Sequence, residues 1–398
     1  MRRKFRFFFI STMEGLPWGG SEELWSRSAL HLVGRGHYVL ASVRGWKRTH
    51  ARILDLQQAG IDVQERRLGL RDGLSFVADR ISGRRGRLLG HWVMMRRIVA
   101  KRPDLACISD GGFAGSPLLM NALAAAGIPY LSLGQANWEG LWPTDTLAEQ
   151  YRMALRGAER CCFVSRANQA MAEAQIGSRL TNAEVVWNPY QVSRNADSAW
   201  PEYPDGQILI ACVARLEARA KGQDLLLRLM AEKKWRHRPI RLTFYGDGPN
   251  ADTLQALASE LQLGAHVRFV GFEPDIEKIW RDNHLLLLAS RYEGMPLALL
   301  EALLCRRVCV VTDVGGNAEV IEDGITGFVA AAPCVRCLDD ALERAWQVRN
   351  EWPQIGSRAG AAIRRLLPLD PVAEFADRLE SIAHGSKTGG IDESRVRR

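Results

Sequence analysis

The chain has 398 residues, of which 47% are hydrophobic and 25% charged, with a formal net charge of +8. This is ordinary globular composition at a length that allows two domains with cores of their own. No run of about 18 apolar residues occurs, so a transmembrane helix is not expected.

The N-terminus opens with charge at Arg2, Arg3 and Lys4 and then an apolar stretch from Phe5 to Ile10. That stretch is short, is interrupted by Arg6 and precedes no small-residue cleavage site, so it reads as a first strand and not as a signal peptide, and a cytoplasmic protein is expected. Strand-like apolar runs follow at 38–43, 105–109, 130–133 and 160–164, with a helical period over 21–34 and other helices between the runs. Strand and helix in alternation predict a doubly wound parallel sheet. Gly19 and Gly20 sit where the first strand hands over to the first helix, with Ser21 placed as its N-cap. His37, just before the second strand, reads as structural.

The positive charge is concentrated between Arg66 and Arg102, including Arg80, Arg84, Arg85, Arg87, Arg96, Arg97 and Lys101. A field of that sign suits an anionic acceptor or peripheral contact with anionic lipid at the inner face of a membrane; a solvated surface that keeps the chain soluble is the alternative. Few aromatics interleave with the basic residues and no nucleic-acid-binding module is present, so a nucleic-acid partner is not expected.

Around Asn188-Pro189-Tyr190 and residues 193–206 the apolar period stops and prolines recur, which marks a linker. A second series of strands is predicted at 208–213, 242–245, 267–270, 285–288, 308–312 and 325–329. The first of these leads into a cationic loop, residues 214–224, with Arg215, Arg219 and Lys221 ahead of Gly222. A planar guanidinium can grip two phosphate oxygens, and a flexible ammonium can follow charge onto a leaving group. The strand at 285–288 leads into Ser-Arg-Tyr-Glu-Gly-Met-Pro-Leu-Ala-Leu-Leu-Glu, residues 290–301. Gly294 lets backbone pass close to a ligand, Pro296 suits the first turn of a helix, and the free amides at that helix start suit an anion. Glu293 before the helix and Glu301 inside it are two acceptors for hydroxyl groups on either side of such an anion.

This stretch resembles the Glu-x7-Glu motif of the retaining glycosyltransferases of family 4. The resemblance implies the GT-B fold: α/β, with two Rossmann-like, doubly wound parallel-sheet domains facing a central cleft. It implies an N-terminal acceptor-side domain over 1–190, a nucleotide-sugar-binding domain over 191–369, a helix over 370–384 packing across the domains, and a disordered tail over 385–398. It further implies that Glu293 contacts the donor sugar and Glu301 the ribose, with Gly294, Met295, Pro296 and Leu297 lining the donor. Arg215 and Lys221 match the pair that holds the diphosphate. Gly19 and Gly20 match the glycine loop beside the diphosphate and acceptor, Gly246 the turn after a strand, and Phe272 the loop beside the nucleobase. Residues 315–319 match a helix start near the donor phosphates. The implied partners are a nucleotide sugar and a saccharide or glycolipid acceptor, in polysaccharide, glycan or glycolipid biosynthesis. No cofactor is implied, and no metal: Arg215 and Lys221 carry the charge work, and the chain has no Asp-x-Asp pair.

One departure stands out. Many members carry a His at the end of an N-domain strand, whereas the corresponding stretch here, residues 132–140, has Gln135 and Asn137 and no His. Either amide can hydrogen-bond a sugar hydroxyl, but neither takes a proton as imidazole does. Two other readings therefore stand beside transfer: a GT-B sugar-nucleotide epimerase, and a catalytically degenerate GT-B protein that binds a nucleotide or glycan. The eight cysteines lie mostly in apolar contexts that favour buried free thiols. Cys334-Val-Arg-Cys337 has the spacing of a metal or redox pair but lacks a second pair.

Overall fold

The computed structural model describes residues 3–13, 15–66, 99–112, 116–196, 199–203 and 206–388. The basic positions Arg80, Arg84, Arg85, Arg87, Arg96 and Arg97 lie outside the described residues, as do residues 389–398 of the expected tail. Residues 385–388 of that tail instead continue the last helix, Pro371–Thr388. The chain divides into two compact units, one formed by Met1–Val164, Asn168–Pro189 and Asp370–Arg398, the other by Ser165–Ala167 and Tyr190–Leu369.

In the first unit the described strands are β1 (Arg6–Ser11), β2 (Tyr38–Arg44), β3 (Asp62–Arg66), β4 (Leu105–Asp110), β5 (Tyr130–Gly134), β6 (Arg160–Phe163) and β7 (Ala183–Val185). They pair in parallel in the order β3-β2-β1-β4-β5-β6-β7. Successive side chains of a strand point to opposite faces, and β1 is apolar on both. Phe7 and Phe9 enter one core with Trp25 and Leu32, while Phe8 and Ile10 enter another with Leu119, Met120 and Leu123. The last helix, expected to pack across the domains, belongs to this unit: its Phe375, Ala376, Leu379 and Ala383 join the core of Phe5, Phe7 and Phe9. His37 is spent on the same packing, accepting from the Phe5 amide at 3.1 Å and lying 3.0 Å from Glu380.

The second unit is built on β8 (Ile208–Val213), β9 (Ile240–Tyr245), β10 (Val267–Gly271), β11 (Leu285–Leu288), β12 (Val308–Thr312) and β13 (Phe328–Ala330), parallel in the order β10-β9-β8-β11-β12-β13. The four leucines of β11 are fully enclosed, as a central parallel strand covered on both faces requires. Two strands go unannounced by the sequence, and one expected start is corrected. The edge strands β3 and β7 have no apolar run to announce them, because an edge strand needs only partial burial. The final strand begins at Phe328, since the turn from Glu322 to Gly327 takes Ile325 out to solvent. Among the described residues no helix is long and apolar enough to cross a membrane.

Candidate active site

In the second sheet, β8 leads to β9 and β10 on one side, and β11 leads to β12 and β13 on the other. The loops after β8 and β11 therefore diverge from neighbouring strands, which opens a crevice at the carboxyl edge where ligands of open α/β sheets bind. Lys221, after β8, and Glu293, after β11, meet there with Nζ 2.6 Å from Oε1. Ser290 Oγ donates to the same oxygen at 2.7 Å. Glu293 is buried, and Lys221 keeps 23% of its side chain exposed. An ion pair so enclosed costs desolvation that its attraction only partly offsets, so its presence argues for a task other than stability. Cys212, at the end of β8, feels both charges, but burial dominates and pushes its thiol up to about 12, leaving it inert.

Backbone geometry fixes this meeting. Gly222 has φ +63°, and a Cβ there would lie 2.0 Å from the Ala289 carbonyl oxygen. Glycine lets the Lys221 turn touch the end of β11. Arg291, which sequence reasoning missed, clamps the two loops by donating to both oxygens of Asp224 at 2.7 and 2.8 Å and to the Ala218 carbonyl at 2.6 Å. Burial pushes the Asp224 carboxyl up, but the Arg291 hydrogen bonds outweigh it and hold the group below its ordinary value. The two partners stand 67 residues apart, so no spacing in the sequence signals them.

Arg215 is half-buried on the same loop and paired with Glu217. Burial pulls its guanidinium below its ordinary value, with Tyr292 opposing. Its loop rests on the turn after β9, where Leu216 N–H donates to the Asp247 carbonyl at 2.9 Å. Gly246, at φ +135°, leaves only 2.3 Å between an added Cβ and the Ala214 oxygen. Gly246 thus supports Arg215 through backbone proximity. Arg219 is exposed, and Phe272, after β10, is 71% exposed.

The helix spans Leu297–Leu304, as its apolar run predicts, with Pro296 at its N-cap and not in its first turn, φ −65° and ψ 125°. Proline pre-sets that φ, and the first amides of the helix, from Leu297 and Ala298, have no intrahelical acceptor. Glu301 is buried and accepts from the Gln191 amide at 2.9 Å. Gly294 accepts from the Gly316 amide at 2.7 Å, and Met295 is buried beside it: a Cβ on Gly316 would come within 2.4 Å of Met295 Cε. Residues Asn317–Glu319 make a 3-10 turn and not the expected longer helix. Lys221, Glu293 and Gly294, the Arg215 loop with Gly246, and the Pro296–Leu297 helix start are thus all carried on the carboxyl edge of one sheet. A cavity of about 470 Å³, lined by Asn195, Arg306, Ser357, Ala361 and Arg364, opens by the amino end of β12. It is remote from this chemistry, and Arg364 there is occupied by the carbonyls of Arg194, Ala196 and Leu304.

The first unit has its own switch point between β1 and β4. Thr12, after β1, donates to Asp110, after β4, at 2.9 Å. Gly19 and Gly20 follow on, but Ser21 is not the N-cap: Gly20–Glu22 form a 3-10 turn closed by the Glu22 amide on the Gly19 carbonyl, and the helix Glu23–Gly34 begins after it. Glu22 is buried with its carboxylate accepting from Trp25 Nε1 at 3.0 Å. Burial pushes its pKa up to about 7 against the pull of Ser11, Trp25 and Arg66. Between pH 4.5 and 7 the folded chain therefore holds a proton that the unfolded chain has lost, and stability falls as pH rises, by about 3 kcal/mol in total. Glu22→Gln is expected to flatten this fall; urea midpoints taken from pH 5 to 8 with an unchanged slope in the variant would remove the assignment.

Gln135 and Asn137, expected to meet sugar hydroxyls, are buried in an amide network of the first unit. Gln135 Oε1 accepts from Asn188 Nδ2 at 2.7 Å, and Asn137 Nδ2 donates to Gln175 Oε1 at 2.7 Å while its Oδ1 accepts from the Trp138 amide at 2.8 Å. Asn137 is thereby a brace at the end of β5. Gln135 Nε2 is buried without a partner among the described residues, which leaves its two N–H donors for a ligand.

Residues 193–359 match the family model described as "Glycosyl transferases group 1". An alpha-D-kanosaminyltransferase of Streptomyces kanamyceticus is 32% identical over 280 residues, 64% of this chain and 71% of the relative. A GDP-mannose-dependent alpha-(1-6)-phosphatidylinositol monomannoside mannosyltransferase of Mycolicibacterium smegmatis is 32% identical over 143 residues, 34% of this chain and 37% of that protein. The chain spans less than half the length of several further curated relatives. Among solved structures, HepE of Anabaena in complex with UDP superposes with TM-score 0.71 over 94% of this chain and 100% of its own, at 18% identity. Sucrose-phosphate synthase from Thermosynechococcus elongatus gives 0.70 over 96% and 100%, at 16% identity. These likenesses establish the GT-B fold of two Rossmann-like units.

Proposed function

The chain belongs to the group 1 glycosyl transferases, and from that premise we propose that it moves a sugar from a nucleoside-diphosphate sugar to an acceptor hydroxyl, with retained anomeric configuration, as a family 4 enzyme of glycan or glycolipid synthesis. The observation that carries this reading is the meeting of Lys221 and Glu293 at the switch point of the second sheet, with Arg215 and the helix start at Leu297 on the same edge. Cations and free amides converge where a diphosphate would sit, and a buried carboxylate stands where a sugar hydroxyl would need an acceptor. In the reaction the bond from the anomeric carbon to the phosphate oxygen breaks, and charge develops on the diphosphate and on an oxocarbenium-like sugar. Lys221 and Arg215 stabilise the first. The acceptor oxygen attacks from the face that the diphosphate leaves, and its proton passes to a phosphate oxygen, so no imidazole is required. Glu301, with its carboxylate held by the Gln191 amide, takes the ribose, and Phe272 flanks the base.

The two relatives at 32% identity bear different donors in their names, one a kanosaminyl group and the other GDP-mannose, so the panel must span bases. Thermal shift against UDP, GDP, ADP, dTDP and their sugars is expected to show stabilisation by one nucleoside diphosphate, absent in Lys221→Ala. Stabilisation by none of them overturns the donor-site assignment.

A further inference from the structure

Six of the eight cysteines are buried, and two are not: Cys334 and Cys337. They stand at the start of the helix Val335–Gln347, directly after β13, with Cys334 at the N-cap in an extended conformation, φ −139° and ψ 156°, and Cys337 in the first turn. The N-cap and the third helical residue are the two positions that face each other across the first turn, as in a capping box, so the two thiols are neighbours there. Cys334 Sγ closes no short cap hydrogen bond. Its place at the N-cap sets it beside the first-turn amides, which have no intrahelical acceptor. These donors hold the Cys334 thiol below its ordinary value, while the neighbouring Cys334 thiol pushes Cys337 up. The unpaired amides of a helix start favour a thiolate at the N-cap, so Cys334 is the sulfur disposed to attack and Cys337, inside the first turn, the one to follow. Among the described residues no group of three or more His, Cys, Asp or Glu side chains is placed to hold a metal ion, so nothing joins this pair as a metal clamp.

We propose that Cys334 and Cys337 form a redox-active dithiol, a site of reversible oxidation by low-molecular-weight disulfides. The Cys334 thiolate attacks one sulfur of the small disulfide, forming a mixed disulfide and expelling the first small thiolate. Cys337 then gives up its proton and attacks Cys334 Sγ, forming the intramolecular disulfide and expelling the second. Two protein thiols are oxidised, one small disulfide is reduced to two thiols, and the two protein protons end on the expelled thiolates. A larger thiol excess reverses both steps.

The site is independent of sugar transfer, so its test uses the full chain and reads sulfur chemistry. Oxidised glutathione is the probe, with peptide mass mapping as the readout. The wild type is expected to lose two hydrogens on the peptide carrying residues 334 and 337 and to regain them with reduced glutathione. Cys337→Ser is expected to trap a glutathione adduct on Cys334, whereas Cys334→Ser forms an adduct at Cys337 at least about tenfold more slowly. Iodoacetamide at neutral pH is expected to show the same order of labelling, with the six buried cysteines unlabelled as internal standards. Equal labelling of both thiols, or stable adducts on both in the wild type with no internal disulfide, would overturn the proposal.

Discussion

Lys221→Ala is expected to lower sugar transfer by about 10²- to 10³-fold, mainly through kcat, because a cation aimed at charge that develops on the leaving diphosphate contributes about 3 to 4 kcal/mol to the transition state. The geometry makes one complication measurable. Lys221 is the partner of a buried carboxylate, so its removal leaves Glu293 held by the Ser290 hydroxyl with its charge less compensated. Breaking such a pair costs about 2 kcal/mol of stability once the exposure of Lys221 is allowed for. Glu293→Gln removes the charge and can keep a hydrogen bond to Ser290. The double variant Lys221→Ala with Glu293→Gln should therefore regain stability without regaining transfer. Recovery of activity along with stability in the double variant would mean that the pair only holds the loops, and the catalytic assignment would fall. Urea midpoints beside initial rates with the donor found by thermal shift make the comparison.

Gly222→Ala should be among the most damaging small substitutions in the second unit. A left-handed residue with a Cβ costs about 1 kcal/mol by itself. Here the added atom would also lie 2.0 Å from the Ala289 carbonyl oxygen, a backbone atom at the end of β11 that cannot turn aside. Total destabilisation of about 3 kcal/mol or more is expected, with loss of nucleoside-diphosphate binding as the Lys221 turn is pushed from Glu293. Gly324→Ala is the internal comparison, for Gly324 has φ +78° and nothing within 4 Å of an added Cβ. It should cost about 1 kcal/mol and leave binding intact. Equal midpoints for the two variants would show that the close approach at Gly222 relaxes freely.

The sheet strands that are enclosed on both faces were legible because burial demands an unbroken apolar run, as in Phe7 to Ile10 and Leu285 to Leu288. The edge strands were not, because Asp62–Arg66 satisfies its neighbour through backbone hydrogen bonds that any residue can make. The glycine and cation loops after β8 and β11 were legible as chemistry. Their meeting was not, since adjacency of β8 and β11 follows from the strand order and not from the chain order. Arg291 and Asp224 show the limit in a single pair: each is an ordinary surface-type residue until the fold brings them within 2.8 Å. Ser21 shows the reverse, a side chain well suited to capping that is displaced because the backbone turn at Gly20–Glu22 makes its own closure first. Gln135 and Asn137 were found as amides near a strand end, but sequence alone could not tell a brace from a donor aimed at a ligand.

Because the final helix completes the core around Phe5, Phe7 and Phe9, the order in which the molecule is made is not the order in which it can be finished. The ribosome releases these three phenylalanines first and Phe375 last, and at 5–20 residues per second the interval is about 20 to 70 seconds. Residues 190–369 are contiguous and carry their own sheet, so they can close while the first sheet still waits with part of one apolar face uncovered. A nascent chain of this kind is vulnerable at the face built from Phe5, Phe7 and Phe9, and a holdase chaperone that shields that face until the helix of Phe375 has emerged would protect it longest.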